Sequence, residues 1–77
     1  AGLPPGHSLT GADSKARGRV TQLAGGHELH ARLAGMGIIP GVTIEVVRND
    51  GRGPMVIAVN RTRIVLGRGM AEKVLIV

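Results

Sequence analysis

Polar and apolar positions alternate from Lys15 to Leu23. Lys15, Arg17, Arg19 and Thr21 fall on one side, and Ala16, Gly18, Val20 and Gln22 on the other. A period of two is that of a half-buried strand. Gly25-Gly26 interrupts it. From His27 to Ala34 the period lengthens. Leu29 and Leu33 stand four residues apart and share a face, which predicts the one convincing helix of the chain. Gly35 follows, where it can close the helix in the left-handed conformation. Met36 to Gly41 is then a turn, because Pro40 fixes its own φ and Gly41 can supply a positive one. Val42, Ile44 and Val46 return to the period of two, opposite Thr43 and Glu45, and predict a strand over 42–49. Asp50-Gly51 signals a hairpin, with Met55, Ile57 and Val59 inward on the returning strand. Asn60 to Thr62 makes the next turn, and Ile64 and Leu66 face inward on a fourth strand. Met70 to Lys73 reads as a helical turn and Val74 to Val77 as a last strand.

Short strands this evenly punctuated predict an all-β fold, a small five-stranded SH3-like barrel with one short helix inserted after the first strand. Residues 1–14 are rich in Gly, Pro, Ser and Asp and read as loop. Residues 1–8 are expected to be a flexible lead-in or a cloning remnant, and 9–77 the single domain. The first seven residues show no charged stretch followed by an apolar one, so a signal peptide is not expected. No apolar run approaches the roughly 20 residues that span a bilayer, so membrane insertion is not expected and the cytoplasm is the expected location.

Composition narrows the function classes. A chain of 77 residues buries only about 60% of its unfolded surface, so its stability should be marginal. It has no cysteine, which removes disulfides and thiolate-based zinc sites. It has no Phe, Tyr or Trp, so the core must be aliphatic. The same absence removes the aromatic platforms on which proline-rich peptides and single-stranded nucleic acids are usually held. Ten Lys and Arg against five Asp and Glu give a net charge of +5, which suits an acidic partner or an ordinary solvated basic surface.

The ordered set Leu29, Arg32-Leu33, Met36-Gly37-Ile38, Pro40-Gly41-Val42, Ile44 and Val46 resembles the signature of the FeoA family. Pro54 with Met55, Ile57 and Val59, then Leu66, Ala71, Val74 and Ile76, continue the resemblance over roughly residues 9–77. Three positions depart from that pattern. Lys15 and Arg61 stand near places where family members often have glycine, and Gly67 where they often have arginine. The resemblance implies an SH3-like domain that is neither an enzyme nor itself a transporter. It implies an accessory of ferrous iron uptake associated with FeoB, a membrane iron transporter with a cytosolic GTPase domain. Similar domains end iron-dependent repressors of the DtxR type; the residues given carry no DNA-binding half, so a repressor is not expected.

Few constellations carry chemistry. His27 and His30 are three apart on the predicted helix and could reach one transition metal, such as iron or zinc. Two ligands make only a weak site, and solvent-exposed side chains are the plainer reading. No cofactor is required. The chain has no cysteine nucleophile, no phosphate loop and no Gly-x-Ser-x-Gly, and its five carboxylates are dispersed. Lys15, Arg17 and Arg19 line one face of the first strand, while Arg61, Arg63 and Arg68 flank the fourth. In a small barrel these strands could meet as one positive face. The apolar turn Met36-Gly37-Ile38-Ile39 is either core packing or an interaction anchor. The candidate partner surface is therefore Met36, Ile38 and Ile39 with Arg17, Arg19, Arg61 and Arg63. The accessory reading stands first. A nucleic-acid-binding barrel, opposed by the missing aromatics, and a histidine-based metal sensor are the alternatives. Exposed edge strands could also pair two copies.

Overall fold

The computed structural model describes residues 7–77. The chain runs through β1 (His7–Ser8), a 3-10 turn (Leu9–Gly11), β2 (Arg17–Leu23), α1 (His27–Gly35), β3 (Thr43–Arg48), β4 (Met55–Val59), β5 (Thr62–Leu66), α2 (Arg68–Ala71) and β6 (Val74–Ile76). All strand pairs are antiparallel, in the order β1-β6-β2-β3-β4-β5. This is the expected SH3-like architecture with two differences. A sixth strand is present, and the barrel is open, because β1 and β5 end the sheet without pairing to each other.

The extra strand lies where a lead-in is expected. His7 and Ser8 pair with Ile76 and Leu75. Leu9 follows in the 3-10 turn, which the Ser8 hydroxyl caps by accepting from the Thr10 N–H, and its side chain is fully buried. A two-residue strand and one leucine leave no periodicity to read. The part of the expected lead-in over 1–6 lies outside the described residues.

The core is aliphatic, as the composition requires. Val20, Leu33, Ile38, Ile44, Val46, Met55, Ile57, Val59, Leu66, Val74 and Ile76 fill it with Leu9, and no polar or charged residue is buried among the described residues. Alternation holds along β4 and in β3 as far as Val46, where the pairing to β4 shifts register before Arg48. It breaks in β2, where the pairing to β6 shifts register between Val20 and Gln22. The bulge turns Gln22 outward and Leu23 toward the core, reversing the faces expected from a period of two. The Asp50-Gly51 signal marks a loop over 49–54 rather than a two-residue hairpin. The tight hairpin lies between β4 and β5, where Asn60 and Arg61 both have positive φ, 51° and 67°. Lys15 also has positive φ, at 72°. Lys15 and Arg61 are thus left-handed here, a conformation that glycine adopts most readily.

Gly18 shows a different need for glycine. A Cβ placed there would stand 2.6 Å from Ile76 Cδ1 and 3.0 Å from Ile76 Cβ. The Cδ1 end can turn aside, but Ile76 Cβ is fixed to a strand that pairs with β2. Gly18→Ala is expected to cost about 1–3 kcal/mol through overpacking. Urea unfolding checks it; unchanged stability would show that Ile76 repacks freely.

Candidate functional site

The loop that joins α1 to β3 carries the apolar part of the predicted surface. The helix ends in two backbone bonds, Gly37 N–H to Ala34 C=O at 2.9 Å and Ile38 N–H to Leu33 C=O at 2.9 Å. Gly37 has φ of 86° and Met36 is still helical. This is a Schellman closure, with Gly37 rather than Gly35 as the left-handed residue. Such a closure brings the residue after the glycine onto the last helical turn. Ile38 accordingly packs into the same core as Leu33, both fully buried. Ile38 is therefore not part of an outer surface, which corrects its place among the candidate partner residues. Met36 is half-buried against the core.

Ile39 is the large apolar side chain that this loop leaves exposed, at 45%. It opens a turn in which Val42 N–H reaches Ile39 C=O at 3.3 Å, with Pro40 at the second position and Gly41, φ of 99°, at the third. Gly41 N–H is held by Val20 C=O at 2.7 Å. Both ends of the loop are thus tied to the barrel, and an exposed isoleucine is presented on a fixed backbone. Gly37 lies against Asn60 and Val59, so the loop sits beside the β4–β5 hairpin tip.

The arginines do not form one continuous positive face. Arg17 pairs with Glu45 on β3, Glu45 with Ala58 on β4, and Ala58 with Arg63 on β5. These four residues make one row across the outer face. Arg19, paired with Thr43, begins a second row that leads toward the hairpin tip and Arg61. Two strands separate the arginine pairs, roughly 14 Å along the sheet at the usual strand spacing, and Glu45 lies between them. All four arginines are exposed.

Arg68 is committed elsewhere. Its Nε donates to Gly53 C=O at 2.9 Å and its Nη2 to Asn49 Oδ1 at 2.6 Å. Asn49 Nδ2 donates in turn to Thr10 C=O at 3.0 Å and Ala12 C=O at 2.7 Å. This clasp joins the N-terminal segment, the β3–β4 loop and α2. Sequence reading missed it, since Asn49 reads only as the last residue of the strand over 42–49.

His27 and His30 both lie on α1 but face different settings. His30 Nε2 lies 3.2 Å from Ala24 C=O. A carbonyl only accepts, so Nε2 donates and is not free to bind a metal. His27 is exposed and lines a shallow cleft with Gly26, Glu28, Leu29 and Arg32. The Arg32 charge opposes a cation there. Among the described residues, no cluster of three or more His, Cys, Asp or Glu could hold a metal. Nor is any helix among them long and apolar enough to cross a membrane.

No curated protein matches the sequence. Solved structures do. A crystal structure of an iron uptake regulatory protein (FeoA) is 32% identical, with a TM-score of 0.86, covering 94% of this chain and 95% of that one. The solution structure of iron(II) transport protein A from Clostridium thermocellum is 29% identical, with a TM-score of 0.82, covering 91% of this chain and 44% of that one. A manganese-dependent transcriptional repressor, at 19% identity and a TM-score of 0.87, shares the fold; this chain spans 42% of its length. The sequence profile of the FeoA domain matches residues 7–77. Because that match takes in nearly the whole chain, the chain belongs to the FeoA family.

Proposed function

We propose that this chain is a non-enzymatic accessory protein of ferrous iron uptake that docks on the cytosolic part of a FeoB-type transporter and regulates it by binding. FeoA membership supports the tie to ferrous iron transport. The observation that carries the docking is Ile39, an exposed apolar side chain on a loop fixed at both ends. A large apolar residue in such a position is an anchor that pays little ordering entropy on binding. Met36 lies half-buried in the same loop, and Arg19 and Arg61 supply charge for steering. The site of action is then the cytoplasm. A weakly bound transition metal at His27 would be incidental to this role.

The test is a pull-down with the transporter's cytosolic domain at physiological salt. Wild type is expected to be retained, and Ile39→Asp to lose at least tenfold in affinity while keeping the wild-type circular dichroism. Absence of retention for wild type, well above cellular concentrations, would sink the proposal. Retention of both proteins alike would remove Ile39 from the interface.

A further inference from the structure

The β5 edge of the sheet is open and charged. Among the described residues β5 pairs only with β4, in unbroken register from Val59↔Thr62 to Met55↔Leu66. The pair next to a two-residue turn is hydrogen-bonded, and bonded pairs then alternate. Thr62, Ile64 and Leu66 therefore spend their backbone groups on β4. Arg63 and Val65, opposite Ala58 and Val56, turn their N–H and C=O groups away from the sheet. Among the described residues no further backbone bond holds β5 outside that ladder. It carries no proline and no bulge, two of the usual devices that blunt an edge. Val65 is 68% exposed and Arg63 is exposed beside it, on the same face. Arg61 stands at the turn. Neither arginine has an ion-pair partner; among the described residues the one ion pair is Arg48–Asp50.

We propose that the outer edge of β5 accepts an extended acidic segment of a partner protein, which adds to the sheet as a seventh strand through the backbone of Arg63 and Val65, with its carboxylates beside Arg61 and Arg63. Strand addition takes affinity from the main chain and specificity from alternate side chains. Here the specificity is charge. Two arginines within three residues disfavour a second copy of the same edge and favour a segment with glutamate or aspartate at alternate positions. Val65, with the small half-buried Ala58 and Val56 beside it, leaves an apolar strip for the residues between. This site shares Arg61 with the surface around Ile39 but does not use Ile39 itself, and it does not rest on the transporter reading.

The probe is a blocked heptapeptide of alternating glutamate and valine, with a lysine-valine peptide as the control. Binding to the full chain is followed by amide chemical shifts and hydrogen exchange. The glutamate peptide should slow exchange of the Arg63 and Val65 amides and bind at least tenfold more tightly than the lysine peptide. Val65→Pro removes an outward N–H without touching the β4 ladder, a placement that edge strands tolerate. It should abolish binding with the other shifts unchanged. Arg63→Glu keeps the test decisive if the proline variant unfolds: it should reverse the peptide preference. Ile39→Asp should bind as wild type. No binding at millimolar peptide, equal binding of both peptides, or bound peptide without protection at Arg63 and Val65 would each overturn the proposal. So would protection that rises with protein concentration alone, which would assign the edge to a second copy.

Discussion

Leu33→Ala is expected to destabilise the domain by about 2–5 kcal/mol. Leu33 is the one fully buried side chain of α1, while Leu29 packs only partly against the core. Truncation leaves a cavity between the helix and the sheet that neither Leu29 nor Met36 can fill from its own position. It also loosens Ile38, which the helix closure sets in the same core cluster. A domain of this size has about 5–15 kcal/mol in hand, so the loss is a large fraction of the whole. At roughly 4–8 °C per kcal/mol, the melting temperature should fall by about 8–40 °C. Thermal unfolding by circular dichroism measures it. A fall of only a few degrees would mean that α1 is not anchored through Leu33.

Asn49→Ala should cost about 2–3 kcal/mol, far more than its position in an exposed loop suggests. The side chain donates to Thr10 and Ala12 carbonyls and accepts from Gly51 N–H and the Arg68 guanidinium. A neutral hydrogen bond contributes about 1 kcal/mol net, and one to a charged group about 1.5–3; partial exposure of the clasp discounts their sum. The loss should be local as well as global. The Ala12 amide, bonded to Leu9 C=O at 3.0 Å, should exchange faster before the sheet does. A double-mutant cycle with Arg68→Ala should show coupling above about 0.5 kcal/mol. Additive losses would mean that the two side chains stabilise the loop independently.

The two variants probe different kinds of legibility. Leu33 is visible in the sequence as half of a four-residue spacing, and its burial follows from that. Asn49 is visible only as the end of a strand, because its partners lie 37, 39 and 19 residues away. The same contrast divides the candidate surface. Ile38 and Ile39 are identical and adjacent, and no periodicity separates them. The closure at Gly37 decides, sending Ile38 inward and leaving Ile39 at 45% exposure. The arginines are plain in the sequence, but strand order sets Arg17 and Arg63 two strands apart with Glu45 between them.

By itself the sequence determined the fold class, the aliphatic core, the strands from β2 onward, α1 and the family. Each rests on local periodicity, on turn residues or on an ordered motif, and these survive in one dimension. The tertiary structure decided the β1 pairing, the β2 bulge, the burial of Leu9, the Asn49–Arg68 clasp, and which strand edge is left open. These depend on long-range pairing and close packing, where one bulge or one left-handed residue redirects every side chain that follows it.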